Sequence, residues 1–329
     1  MACSQKEGEL EHAEGANARR RAGGQASDRS DAREPVDGVV AHYDAIAEDY
    51  HLQYRREQLA GAAEYPANYF RLQILVSRLA SLEARRVYEV GVGEGTPLLT
   101  LAQMGIEVAG CDISEEMVER ARARLLAAGL APETVAWADI QDSVTFAHQL
   151  RGGRFDAVIA AGVLPHVDND SLFLENLKML LRDGGTALVE FRNKLFSLFT
   201  FNRKTLEFVL EDLLAGVDPA IAETVGKDLA ARLAMDEPAL RLSAQAGAPG
   251  YDAIPSKFHN PFELVRLFER HGFGDARIHW YHYHPAPPLL ESALGQSFRA
   301  AARALEHDPS DWRGHFLCSA GVVEATNSR

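Results

Sequence analysis

The stretch from Val87 to Thr100 constrains this chain more than any other. Val87, Tyr88 and Val90 are strand formers. Gly91, Gly93 and Gly95 then end the strand, permit positive φ, and let another molecule approach the backbone. Pro97 suits the first turn of a helix, where its missing N–H costs nothing. Leu98, Leu99 and Leu101 supply that helix with an apolar face. A helix start of this kind aims free N–H groups and a partial positive charge at the glycine turn, a natural seat for an anion. The expected unit is a buried strand, a tight turn and a covering helix, which places the chain among α/β folds. The glycines run G-x-G-x-G, one residue shorter than the dinucleotide spacing G-x-G-x-x-G.

The next two strands extend the pattern. Residues Ile106 to Cys111 read as a second strand ending in Asp112, with Ile113 and Ser114 behind it. A carboxylate at the tip of a second parallel strand can accept both hydroxyls of a ribose. Val135 to Ala138 read as a third strand ending in Asp139 and Ile140. An acid there can accept from an amino group such as that of adenine. Phe155 to Gly162 is an apolar run broken only by Asp156, as expected of a strand buried on both faces.

In this order the chain resembles the class I S-adenosylmethionine-dependent methyltransferases. The resemblance covers roughly residues 40 to 193 and 258 to 325. It implies a Rossmann-like seven-stranded, mostly parallel sheet with an antiparallel last strand, and S-adenosylmethionine as cofactor. It makes Glu89 the acid of the first motif, beside Gly91, Val92, Gly93 and Gly95. It places Asp112 on the ribose, Ile113 and Met117 beside the adenine, and Asp139 on the adenine amine, with Ile140 next to it. The motif after the fourth strand runs from Phe155 through Ala160 to Val167, and Arg182 to Gly185 form the habitual turn before the fifth strand. A segment like Tyr43-Asp44-Ala45-Ile46-Ala47-Glu48-Asp49-Tyr50 folds over the cofactor in many members, so Tyr43 and Tyr50 are expected at the pocket, unless the helix simply uses its tyrosines as core. Arg71 is expected to meet the cofactor carboxylate, an anion whose planar shape suits arginine, or else to lie on the surface.

The loop after the fourth strand leaves the carboxyl end of the sheet, where ligands of open α/β sheets bind. His166 lies in it and is the best placed histidine for general-base work; its structural alternative is packing on the cofactor or capping. Arg192 and Asn193 follow the fifth strand and are candidate acceptor contacts, with helix capping the alternative for Asn193. From Leu195 to about Lys257 the chain departs from the minimal fold. Leu206, Val209, Leu210, Leu213 and Val217 mark one amphipathic helix, and Ile221, Val225, Leu229 and Leu233 a second. This helical insertion reads as a lid or a dimer interface. Asn260, Pro261 and Glu263 start a helix that stops at Gly272. Ala276 to His284 read as the sixth strand, with Ile278, Trp280, His282 and His284 on one face and Arg277, His279, Tyr281 and Tyr283 on the other. His282 and His284 are candidate substrate contacts; with no third ligand nearby in sequence, no metal site is assigned. Leu289 to Leu305 read as another helix. Gly314 to Val323 read as the last strand, with Phe316, Cys318, Ala320 and Val322 on one face.

Composition narrows the partners. The 329 residues carry a formal charge of −13, which disfavours a broad basic footprint for nucleic acid or an anionic membrane. Cys3, Cys111 and Cys318 are few and scattered, as in a reducing compartment. No run reaches the ~18 apolar residues of a membrane span, and the polar N-terminus shows no signal segment, so a cytoplasmic protein is expected. Residues 1–37 almost lack large apolar side chains and read as a disordered tail. The expected division is this tail, a cofactor-binding core with N-terminal cap helices over 38–194, the insertion over 195–257, and the rest of the core over 258–329. The function so implied is biosynthetic methyl transfer to oxygen or nitrogen of a small natural-product-like or sugar-like molecule, with a homodimer possible. The competing readings are a NAD-dependent oxidoreductase and a non-catalytic cofactor-binding partner protein.

Overall fold

The computed structural model describes residues 33–46, 66–233 and 254–328. Helix α1 (Arg33–Ile46) starts within the stretch expected as tail; the rest of that stretch, and Tyr50, lie outside the described residues. The core follows as α2 (Ala67–Ser81), β1 (Arg86–Val90), α3 (Thr96–Gln103), β2 (Glu107–Asp112), α4 (Glu115–Ala127) and β3 (Val135–Trp137). Then come β4 (Phe155–Ala160), α5 (Asp170–Leu180) and β5 (Leu181–Arg192). After β5 come α6 (Arg203–Phe208), a π-helical turn over Val209–Leu213, and α7 (Pro219–Arg232), in the stretch expected as an insertion. The chain closes with α8 (Pro261–Arg270), β6 (Phe273–Tyr283), α9 (Gln296–Leu305) and β7 (Cys318–Asn327).

The seven strands form one sheet in the order β3-β2-β1-β4-β5-β7-β6. The first five pair in parallel, and β7 runs antiparallel between β5 and β6. The order reverses between β1 and β4, so a crevice opens at their carboxyl ends. Alternation along the strands feeds two cores. Tyr88 and Val90 of β1, with Val158 and Ala160 of β4, meet Phe173 and Leu177 of α5 and Phe268 of α8 on one face. Val87, Ala157 and Ile159 meet Leu75 and Leu79 of α2, Leu98 of α3 and Leu125 of α4 on the other. Both faces of the parallel region are therefore buried, as continuous apolar strands require. Among the described residues no helix is long and apolar enough to cross a membrane.

The expectations for the last strands need correction. The last strand begins at Cys318, four residues later than the sequence pattern placed it, because Gly314–Leu317 form a helical turn. Gly314 packs directly under Trp280, where an added Cβ would lie 2.1 Å from the indole Cγ. Phe316 thus precedes the strand. Ala320 and Val322 join one core, whereas Cys318 joins the other with Val323 and Ala325. In β6, His282 has φ +60°, and this left-handed step breaks the alternation. Tyr283 consequently shares the core of Trp280, while Tyr281 faces the opposite one. The helix expected from Leu289 is interrupted at Gly295, with φ +54°, so that α9 starts at Gln296.

Candidate functional site

A pocket at the carboxyl ends of β1, β2, β3 and β4 gathers most of the residues singled out in the sequence. Its floor is Glu89, Gly91, Val92 and Gly93. Asp112, Ile113 and Met117 form one wall, and Asp139 and Ile140 the next. Tyr43 from α1 and His166 also line it.

The glycine turn is held by β2. Gly91 N and Val92 N both donate to Cys111 O, at 2.8 and 3.0 Å. Gly91 has φ +71°, and a Cβ there would sit 2.5 Å from Val163 Cγ2. Neither the backbone nor the space admits a side chain. Gly95 plays a different part. It is the N-cap of α3 at φ +89°, and an added Cβ would stand 3.0 Å from the Ala121 backbone of α4. It sets helix packing behind the turn and does not line the pocket.

Asp112 accepts from Gly93 N at 2.8 Å and from Ser114 N at 3.0 Å. Burial pushes its carboxyl up to about 6, against the pull of those two backbone amides. Ser114 caps α4 by accepting from Met117 N at 3.0 Å, and its hydroxyl also donates to Asp44 of α1. The cap therefore fastens α1 to the cofactor wall. Asp139 accepts from Gln141 N at 2.8 Å, and burial raises its carboxyl above the usual value. Ala160 is fully buried in the sheet, and the pocket begins one residue later, at Ala161.

Glu89 is buried, and its Oε2 has no hydrogen-bond partner among the described residues. Burial, with the neighbouring Glu94 and Asp112 carboxylates, pushes Glu89 well above the usual carboxylate range despite Arg71. A buried acceptor of this kind calls for a donor supplied from the pocket. The ammonium of an amino acid is such a donor. With Asp112 open to hydroxyls, Asp139 to an amine and Gly91 giving close backbone access, the donor set fits S-adenosylmethionine.

Arg71 lies apart from the pocket lining. Its Nη1 donates to Glu190 Oε2 at 2.5 Å, with both side chains buried. Tyr281 donates to the other Glu190 oxygen at 2.6 Å. Burial pushes Glu190 up, but Arg71, Tyr281 and Arg192 together hold it below the ordinary value. This pair abuts Gly162, which lines the pocket: an added Cβ there would lie 3.7 Å from Glu190 Oε2 and 3.8 Å from Arg71 Nη1. Glu190 had no signal in the sequence beyond an acid in an apolar strand.

The remaining candidate residues are held by longer connections. His166 Nδ1 lies 2.7 Å from Pro255 O. A carbonyl only accepts, so Nδ1 carries the proton and the Nε2 lone pair is left to face Tyr43 Oη at 3.4 Å. Burial pushes His166 down to about 4, so it is neutral near pH 7. Arg192 donates to Ser256 Oγ and lies over the Phe258 ring, 6.0 Å from its centroid. Asn193, expected as an acceptor contact, is committed to the backbone instead. It donates to His315 O and Cys318 O at 2.8 and 2.9 Å and accepts from Leu195 N at 3.0 Å. Its capping alternative describes it fully.

His282 and His284, which do not line the pocket, pack as tilted rings with centroids 4.7 Å apart, and His284 packs in turn, also tilted, on Phe196 at 4.7 Å. His282 Nδ1 meets Ser319 Oγ at 2.8 Å. Burial lowers both rings, His282 to about 4 and His284 to about 2, so both are neutral. Both ring nitrogens of His284 are hidden without a hydrogen-bond partner among the described residues. No group of three or more metal-binding side chains occurs among the described residues.

The chain is similar to several known proteins. A methyltransferase-domain family model matches residues 88–189. The ubiquinone biosynthesis O-methyltransferase of Bordetella avium is 29% identical over 149 residues, 45% of this chain and 60% of that protein. The ubiquinone biosynthesis O-methyltransferase of Methylococcus capsulatus is 27% identical over 195 residues, 59% of this chain and 78% of that protein. The chain thus spans less than two thirds of the Bordetella relative. Among solved structures, the magnesium protoporphyrin IX methyltransferase of Synechocystis, with bound S-adenosylhomocysteine, aligns at TM-score 0.46 and 16% identity. That alignment covers 87% of this chain and 98% of the other.

Proposed function

We propose that this chain, whose residues 88–189 match a methyltransferase-domain family model, is a class I S-adenosylmethionine-dependent methyltransferase that transfers a methyl group to oxygen or nitrogen of a small molecule. The observation that carries the reading is one pocket in which Glu89, Asp112 and Asp139 come together at three strand tips around the Gly91–Gly93 turn. Bound there, the cofactor supplies a methyl carbon already activated by a sulfonium, for a single displacement. Asp112 holds the ribose hydroxyls, Asp139 the adenine amine, and Glu89 the amino group. Arg71 acts on this end through charge, held in place by Glu190.

His166 is the proton acceptor for a hydroxyl nucleophile. Its Nε2 lone pair, its neutrality and its place in the pocket lining support that role. For an amine the same residue has only to position a neutral nitrogen. His282 and His284 do not line the pocket and are kept as acceptor contacts only in the sense that a group reaching them would meet the partnerless nitrogens of His284. The insertion after β5 covers this side in the same reading, since Phe196 at its start packs on His284.

Calorimetry tests the reading. S-adenosylmethionine and S-adenosylhomocysteine are expected to bind and NAD not to. Binding of NAD alone would overturn it.

A further inference from the structure

One short segment ties the two loops of the acceptor side together. Ile254 is buried, and its Cγ2 lies 4.0 Å from where a Cβ on Gly38 of α1 would stand. Pro255 O then meets His166 Nδ1, and Lys257 N donates to Pro165 O at 2.8 Å. On the other side, His259 N donates to Arg192 O at 2.7 Å and Lys194 N to His259 O at 2.9 Å. Residues 254–259 thus bridge the loop after β4 and the end of β5.

Two side chains of this strap converge on one carboxylate. Lys257 Nζ pairs with Asp170 Oδ1, and His259 Nε2 lies 3.1 Å from Asp170 Oδ2. Asp170 is the first residue of α5, behind the Asn169 cap that accepts from Leu172 N at 3.1 Å. Its backbone is therefore fixed by a helix packed on the sheet. Burial raises the Asp170 carboxyl, but His259 and Lys257 outweigh it and hold it below the usual value.

We propose that Asp170 is a positioning residue for His166: by clamping Lys257 and His259 it holds Pro255 O at Nδ1 and so fixes which ring nitrogen is left free to take a proton. Asp170 touches neither the pocket nor His166. It acts through the strap, and the consequence falls on a tautomer. If Pro255 O drifts away, the Tyr43 hydroxyl at Nε2, which can donate or accept, does not by itself require the proton on Nδ1. The inference rests on the assignment of His166 above, but its readout needs no acceptor and no turnover.

Nitrogen NMR of the histidine rings in the full chain provides the test, with His166→Gln identifying the resonances. The native protein is expected to hold His166 in the Nδ1–H form. In Asp170→Asn the share of the Nε2–H form should rise about threefold, the scale of losing one positioned hydrogen bond. Lys257→Met removes one leg of the clamp and should shift the share in the same direction by less. It decides the matter if Asp170→Asn fails to fold. S-adenosylhomocysteine binding should stay within about twofold in both variants, since neither touches the cofactor wall. A native Nε2–H form, or an unchanged tautomer in the folded variants, would overturn the proposal. Loss of S-adenosylhomocysteine binding by the native chain would instead strike the methyltransferase reading.

Discussion

The two halves of the pocket are built by different means. The cofactor wall uses backbone amides and strand tips. Gly93 and Asp112, which meet across it, are 19 residues apart, and Ser114 caps a helix by reaching three residues ahead. The acceptor wall uses side chains brought from far along the chain. His166 meets Pro255 across 89 residues, and just behind the lining Arg71 meets Glu190 across 119. The first wall is a product of local chain geometry. The second exists only once the sheet, the insertion and the strap have come together. Such a division lets one half stay constant in design while the other is free to be re-specified.

The seam between the halves should be the most sensitive place. Arg71 acts on Glu89 and pairs with Glu190, so Arg71→Met leaves the buried Glu190 carboxylate without its ion-pair partner, with Tyr281 and the charge of Arg192 as its remaining support. Its unfolding free energy in urea should fall by about 4 kcal/mol. A loss below about 1 kcal/mol would mean the seam is not held there.

On the cofactor wall, Gly91→Ala should weaken S-adenosylhomocysteine binding by on the order of 100-fold, from backbone strain and the Val163 contact together. Gly91→Ala with Val163→Ala should recover part of that loss. If it recovers all of it, space and not the φ of +71° is what the glycine provides.

A smaller effect is expected at Asp112. Asp112→Asn should bind S-adenosylhomocysteine about tenfold more weakly, the scale of a charge-assisted hydrogen bond to a hydroxyl. The native carboxyl is held near 6 by burial, so it is ionised above that pH and protonated below. Only the ionised form offers both oxygens as acceptors. Native affinity should therefore fall as pH drops through about 6, whereas Asp112→Asn should be flat there. A native profile without that step would remove Asp112 from the ribose.

The smallest effect runs the other way. His284→Phe removes two hidden nitrogens that have no partner among the described residues from an aromatic cluster, so the protein should gain about 1 kcal/mol of stability. Its S-adenosylhomocysteine affinity should not change. A loss of stability would show that the His284 ring is satisfied in solution and is not reserved for a ligand.

Much of the site was legible in the residue pattern, and the reason is the contrast drawn above. Three glycines after a strand, then an acid after each of the next two strands, are spaced by the lengths of strand and helix, so they can be read off the chain. The last strand was misplaced by four residues because Gly314 serves the Trp280 packing, a contact no periodicity reports. The faces of β6 were misassigned after Tyr281 because alternation assumes extended backbone, and His282 at φ +60° is not extended.

By itself, then, the order of residues determined the parallel sheet, the glycine turn and the acids at its edge, since each depends on neighbours within a few tens of residues. Tertiary structure alone decided that Arg71 would face Glu190, that Asn193 would be spent on backbone carbonyls, and that Pro255 would select a nitrogen of His166. Those outcomes depend on where distant segments come to lie. Distance along the chain carries no pattern that local propensity or periodicity can express.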